Sequence, residues 1–145
     1  MEFVCENLSP KIKRLSLAGC QTRLSNESLL KLVRRCNNIQ ELDLSDAHSF
    51  NDKAIAIIIE HLGDCLAKLS LSRCFDIHPA RLLDLAAMRE QFRYLNIYGT
   101  VQDYKLDIIR KQLPRLSINE TPWCSIARSA SGDKRNVLWN IKLWN

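Results

Sequence analysis

The stretch from Cys65 to Asp76, Cys-Leu-Ala-Lys-Leu-Ser-Leu-Ser-Arg-Cys-Phe-Asp, contains two leucines separated by one residue, Leu69 and Leu71. The same pair recurs along the 145-residue chain, and the first four copies are spaced by 27, 27 and 26 residues. The pairs are Leu15/Leu17, Leu42/Leu44, Leu69/Leu71, Leu95/Ile97 and, in a shortened last copy, Leu116/Ile118.

A period of this length with a Leu-x-Leu core is typical of leucine-rich repeats. Alternate residues of a strand share one face, so each pair is expected to point inward from a short strand. The predicted fold class is therefore α/β: a leucine-rich-repeat horseshoe with short parallel strands on its concave face and helices on its convex face. The helices are expected after a cap at Ser25–Ser28 (ending near Cys36), after Asn51-Asp52, from Pro79 to about Met88, and from Asp103 to Gln112, the last with Leu106, Ile108, Ile109 and Leu113 as its apolar residues.

Six cysteines follow the repeat and not a disulfide framework. Cys20 and Cys74 lie three places after the second leucine, where a small, weakly polar side chain can meet backbone groups as the chain leaves the strand. No Cys-x-x-Cys pair occurs, so a zinc site is not expected. We expect reduced thiols, in agreement with an N-terminus that does not read as a secretory signal.

Length and composition predict one domain with a tail. Residues 1–119 hold the repeats, and residues 120–145 break the period but contain Trp123, Trp139 and Trp144. A tail so rich in tryptophan is expected to cap the last repeat or to fold back on the concave face. The longest apolar run is too short to span a membrane. The net charge of +5 is spread along the chain, so it is only weak evidence for nucleic-acid binding.

The outward positions of the strands form an acidic row, a basic row and an aromatic row. Such a mixture is typical of a surface that binds another protein, where aromatic residues and arginine provide most of the binding energy and charges set the orientation. The candidate partner-binding residues are Asp43, Asp46, Arg73, Phe75, Tyr98 and, in the tail, Trp123. The outward positions are Arg14, Ser16, Ala18 and Gly19; Glu41, Asp43, Ser45 and Asp46; Lys68, Ser70, Ser72, Arg73 and Phe75; Tyr94, Asn96 and Tyr98; and Arg115, Ser117 and Asn119.

Other interpretations of these residues stay open. Asp46 and Arg73 could simply pair with each other across adjacent strands. Nucleic acid could bind through basic residues in the first repeats: Lys11, Lys13, Arg14, Arg34 and Arg35. Neither a catalytic triad nor a glycine-rich phosphate loop is present, and we expect no catalytic residue, no metal site and no cofactor.

Several motifs in the sequence are more specific than the leucine repeat itself. The sequence resembles the cysteine-type leucine-rich repeats of F-box proteins, and more closely the last repeats and tail of the S-phase kinase-associated F-box protein family, over about residues 7 to 142. The matching segments are Leu32–Cys36, Leu42–Asp46, Leu69–Ile77, Tyr98-Gly99, Leu113–Asn119, Ile126–Arg128, Gly132–Lys134 and Trp139–Lys142.

This resemblance implies a function and a set of partners. It implies the substrate-recognition part of an SCF-type E3 ubiquitin ligase receptor, acting in cell-cycle protein degradation in nucleus and cytoplasm. The implied partners are a protein substrate and a small cyclin-kinase accessory protein, with the SCF adaptor and cullin only if an F-box is present elsewhere. By this resemblance, Asp46, Arg73 and Phe75 match concave positions of the family, and Trp123 matches an aromatic residue in its tail. The alternative is a stand-alone scaffold or sequestering protein without ligase association.

Overall fold

The computed structural model describes residues 7–20, 24–120 and 142–144, and within these ranges strands and helices alternate. The strands are β1 (Arg14–Ser16), β2 (Glu41–Asp43), β3 (Lys68–Ser70), β4 (Tyr94–Asn96), β5 (Ser117–Ile118) and β6 (Lys142–Trp144). The helices are α1 (Asn26–Arg35), α2 (Asp52–Leu62), a 3₁₀ helix (Pro79–Ala87) and α3 (Asp103–Gln112).

Strands β1 to β5 form a parallel sheet in chain order, as the repeat predicts. Leu15, Leu42, Leu69 and Leu95 are aligned across neighbouring strands. All four are buried in one continuous core together with the second member of each pair. The parallel α/β leucine-rich-repeat architecture predicted from the period is therefore confirmed.

The last repeat has a different register from the one predicted. Ile118, not Leu116, is aligned with Leu95. Leu42 and Leu69 each follow the end of the preceding helix by seven residues, whereas Leu116 follows α3 by four and Ile118 by six. Four residues are too few to bring the chain back to the sheet, so Leu116 lies in the connecting loop and is only partly buried against the core.

Local sequence explains where the helices begin. Ser25 caps α1 through a capping box: its hydroxyl accepts from the backbone N–H of Ser28, and the Ser28 side chain accepts from the backbone N–H of Ser25. Asn51 caps α2 by accepting from the backbone N–H of Lys53. Both starts agree with the sequence prediction.

The third helical segment is a 3₁₀ helix, where the sequence predicted a helix from Pro79 to about Met88 without specifying its type. Its buried residues Leu82 and Leu85 are three positions apart, and Met88, the C-cap residue another three positions on, is buried as well. Because a 3₁₀ helix has three residues per turn, this spacing keeps all three side chains on one side. An α-helix of 3.6 residues per turn would rotate them progressively away from the core.

The apolar face predicted for α3 is only partly correct. Ile109 and Leu113 are buried, but Ile108 is 52% exposed. Helix α3 packs against the 3₁₀ helix, and no helix follows it within residues 113–120. A side chain at this end of a solenoid is covered by one neighbour instead of two.

Three places after the second leucine or isoleucine, the side chains of the third and fourth repeats meet backbone carbonyls, as predicted for this position. Cys74 is buried, and its Sγ donates to the Leu44 carbonyl at 3.4 Å. Burial raises the pKa of the Cys74 thiol to about 12. Thr100 occupies the same position one repeat later, and its hydroxyl donates to the Leu71 carbonyl at 2.5 Å. The cysteines at positions 20, 36, 65 and 74 are free thiols.

The C-terminal residues meet the first repeat. Strand β6 pairs antiparallel with β1, at the edge of the sheet opposite to β5. Residues 121–141 lie outside the described residues, so the predicted cap or fold-back of the tail stays a prediction. Every helix in the described ranges is too short or too polar to span a bilayer.

Candidate functional site

In each of the first four repeats, one residue leaves the strand in the left-handed backbone conformation. It lies two places after the second leucine or isoleucine: Gly19 (φ +80°), Asp46 (φ +64°), Arg73 (φ +58°) and Gly99 (φ +68°). Glycine adopts this conformation without steric cost, whereas an L-residue pays about 1–2 kcal/mol. Repeats two and three therefore tolerate a backbone cost at the positions that carry Asp46 and Arg73.

The side chains of Asp46 and Arg73 form a two-pronged ion pair between these repeats. Arg73 donates from Nε to Asp46 Oδ1 at 2.5 Å and from Nη2 to Oδ2 at 2.6 Å. The Asp46 side chain is only 13% exposed, whereas that of Arg73 is 44% exposed. The pairing that the sequence left open is thus present, and Arg73 is its accessible member.

An exposed aromatic lies next to this ion pair. Phe75 follows Arg73 by two residues and is 59% exposed, unusual for a phenylalanine. We call Asp46, Arg73 and Phe75 the strand-exit patch. Three of the six predicted partner-binding residues therefore lie together at the end of two adjacent strands.

His48, which the sequence did not indicate as a binding residue, touches the strand-exit patch. The exposed His48 ring stacks on Phe75, with ring centroids 5.4 Å apart and an angle of 11° between the planes. His48 precedes Phe75 by 27 residues, one repeat, so the period itself placed the two rings side by side. Comparison of equivalent positions between repeats would have found it.

Gly99 provides room for the patch arginine. A Cβ atom built on Gly99 would approach Arg73 Cγ to 3.2 Å, whereas one built on Gly19 would meet nothing within 4 Å. The aliphatic stem of Arg73 thus lies beside the Gly99 backbone while its guanidinium reaches Asp46.

Asp43, also predicted to bind a partner, belongs to an internal hydrogen-bond network. Its carboxylate accepts from Ser16 Oγ at 3.3 Å, from the Ser45 backbone N–H at 3.1 Å and from Ser45 Oγ at 2.7 Å. Ser45 Oγ also contacts Ser70 Oγ at 2.9 Å and accepts from the Ser72 backbone N–H at 3.2 Å. We call these five residues the serine–aspartate ladder.

The prediction that all outward strand positions are exposed is wrong for four residues, three of which belong to the serine–aspartate ladder. Ser45, Ser70, Ser72 and Asn96 were expected on the exposed surface, but all four are buried. Strands in a sheet are about 4.8 Å apart, and side chains this short lie between their neighbours. A hydrogen bond between the Ser45 and Ser70 hydroxyls replaces one to water, and the Ser72 backbone N–H donates to Ser45 Oγ.

Tyr98 is joined to the patch through its backbone, because its carbonyl accepts from the Arg73 backbone N–H at 2.8 Å. The Tyr98 hydroxyl donates to the Asn119 carbonyl at 2.6 Å, which ties the fourth repeat to the last one. Trp123 falls among residues 121–141, outside the described residues. Its proposed contact with a partner stays a prediction.

The first positions of neighbouring strands lie side by side, so the predicted acidic, basic and aromatic rows of repeats two, three and four are adjacent. Arg14, Glu41, Lys68 and Tyr94 are neighbours across β1 to β4. Tyr94 is 53% exposed. In the described parts of the chain, no three His, Cys, Asp or Glu side chains converge as a metal site would require.

Comparison with known proteins agrees with the repeat geometry. The family model described as the SKP2 LRR domain matches residues 1–145. The match covers the whole sequence, including both repeats of the strand-exit patch. The chain therefore belongs to the SKP2 leucine-rich-repeat domain family.

Proposed function

We propose that this chain is the substrate-recognition part of an SCF-type E3 ubiquitin ligase receptor, a non-enzymatic protein-interaction module in cell-cycle protein degradation. Its surface for protein partners includes the strand-exit patch. Membership of the SKP2 leucine-rich-repeat family supports the class of module. The proposed partners are a protein substrate and a small cyclin-kinase accessory protein, met in nucleus and cytoplasm.

The left-handed conformation of Arg73 carries the proposal. Glycine at this position would remove a backbone cost of about 1–2 kcal/mol, and glycine fills the same position in the first and fourth repeats. Backbone strain tends to be kept where a side chain serves a function. The half-exposed side chain of Arg73 lies near an exposed phenylalanine in the chain. Binding a partner would be such a function, since arginine and aromatic residues dominate binding energy at interfaces.

The charge of the patch indicates the chemistry of the partner. Asp46 is largely covered and Arg73 is not, so the accessible charge is positive. Guanidinium groups bind carboxylates and phosphates through paired hydrogen bonds. We therefore expect an acidic group on the partner next to an apolar side chain that covers Phe75.

Calorimetry with a purified small cyclin-kinase accessory protein tests the proposal. Arg73→Ala and Phe75→Ala are each expected to weaken binding by more than about tenfold. Arg81→Ala is the matched control, because Arg81 is an exposed arginine on the 3₁₀ helix, outside the patch. Unchanged affinity in both patch variants would contradict the proposed surface.

A stand-alone scaffold or sequestering protein is the second candidate. The serine–aspartate ladder and the ion pair stiffen the face that such a scaffold would use, and neither requires a ligase. A pull-down of the chain as it occurs in cells distinguishes the two: adaptor and cullin recovered with it support the ligase receptor. Recovery of the partner without adaptor or cullin supports the scaffold.

A further inference from the structure

His48 and Phe75 form a stacked pair that the proposed function does not yet use. Both rings are exposed, nearly parallel and contributed by the same position of adjacent repeats. The equivalent position of the fourth repeat is Val101, which is partly buried against the core. Within the described repeats, the paired rings are therefore particular to repeats two and three, the repeats that carry the ion pair.

We infer that His48 is a specificity-determining residue of the strand-exit patch, and this inference rests on the proposed function. Together the two rings form a platform for an aromatic side chain on a loop of the partner. The same loop places an acidic residue next to Arg73. The acidic preference follows from the exposure of Arg73 relative to Asp46. The aromatic preference follows from the geometry, since stacked rings present further flat faces and edges to an incoming ring.

The role of His48 is to fix the Phe75 ring before the partner arrives. An exposed phenylalanine without a neighbour samples several rotamers, and binding must then restrict it to one. A ring already stacked on His48 has lost much of that freedom, so less affinity is spent on ordering it. His48 is thus a positioning residue for Phe75 as well as a contact residue.

The free protein provides a readout that does not depend on any partner. Proton NMR of the imidazole is expected to show His48 shifted upfield by the Phe75 ring current, and Phe75→Ala should remove that shift. The His78 imidazole is the internal reference, because His78 is exposed and precedes the 3₁₀ helix. Identical His48 resonances in the wild type and in Phe75→Ala would overturn the stacked pair.

Calorimetry with the accessory protein then tests specificity. His48→Ala is expected to weaken binding about two- to tenfold, while His48→Phe, which keeps a flat ring, and the control His78→Ala stay within about twofold of the wild type. In a Phe75→Ala background, His48→Ala should have a much smaller effect, because the two residues act together.

Each contrary result has a distinct meaning. Wild-type binding that His48→Ala leaves unchanged would overturn the inference and leave the proposed function standing. Binding lost equally in His48→Phe and His48→Ala would exclude the ring platform. An accessory protein that does not bind the wild type would overturn the proposed function and the specificity role with it.

Discussion

Gly19, Asp46, Arg73 and Gly99 show how one backbone position can serve two purposes. The turn after the strand has positive φ in each of the first four repeats. Where no side chain is needed, glycine fills the turn; where a side chain is used, the chain accepts the backbone cost. The ion pair then joins the two strained turns, so a local cost is offset by a contact between repeats.

Alanine at the two glycines separates backbone strain from crowding. Gly19→Ala is expected to lower the free energy of unfolding by about 1–2 kcal/mol through positive φ alone. Gly99→Ala carries the same cost and also crowds Arg73 at 3.2 Å, which adds on the order of 1 kcal/mol. Urea unfolding measures both values, and only Gly99→Ala should weaken binding of the accessory protein. Equal effects of the two changes on binding would show that Gly99 does not make room for Arg73.

At the level of elements, the helices differ because their neighbours differ. Helix α2 lies between α1 and the 3₁₀ helix, and Ala54, Ile55, Ile58 and Leu62 are all buried. Helix α3 is one residue shorter and carries fewer apolar residues, and of its two isoleucines only Ile109 is buried. Position in the stack decides how much of an apolar face is covered, since each solenoid repeat is covered only by its neighbours.

Two isoleucines make a matched test of this difference. Ile58 in α2 is fully buried, and Ile108 in α3 is 52% exposed. Ile58→Ala is expected to cost about 2–5 kcal/mol of unfolding free energy, whereas Ile108→Ala should cost less than about 1 kcal/mol. Thermal or urea unfolding of both variants measures the difference. A large loss in Ile108→Ala would show that another part of the chain covers this side of α3.

Across the whole molecule, contacts between adjacent repeats hold the stack together on more than one side. The serine–aspartate ladder joins the first three strands on one face of the sheet. On the helical side, Asn26 donates to Asn51 at 2.8 Å, and the Arg115 guanidinium donates to the Ala86 and Met88 carbonyls at 3.0 and 3.1 Å. Stability in such an architecture is approximately a sum over neighbouring interfaces.

Removal of the central carboxylate tests the serine–aspartate ladder. Asp43→Ala is expected to lower the unfolding free energy by about 1–3 kcal/mol, because buried hydroxyl and amide groups lose a charged acceptor. Hydrogen exchange at the Ser72 amide should accelerate, since that amide donates to Ser45 Oγ. Glu41→Ala is the control, with the same charge change at an exposed position of the same strand, and should stay within about 0.5 kcal/mol of the wild type. Equal stability of the two variants would exclude the ladder as a stabilising network.

The sequence predicted the features that repeat. The spacing of the leucines indicated the parallel register of β1 to β4, and the capping residues marked where α1 and α2 begin. Of the site, the sequence predicted Asp46, Arg73 and Phe75, because charged and aromatic residues at outward positions are informative one at a time. His48 was missed since a lone histidine in a loop gains meaning only beside its equivalent one repeat later.

Only the tertiary structure decided the features that depend on distances between repeats. Because the loop after α3 is short, Ile118 and not Leu116 is aligned with Leu95. The close spacing of the strands buries serines that the alternation of strand residues predicted to be exposed. The structure likewise shows Asp43 at the centre of a hydrogen-bond network with Ser16 and Ser45, while its binding of a partner stays a prediction. Periodicity fixes which side of a strand a residue lies on, but its neighbours determine whether water can reach it.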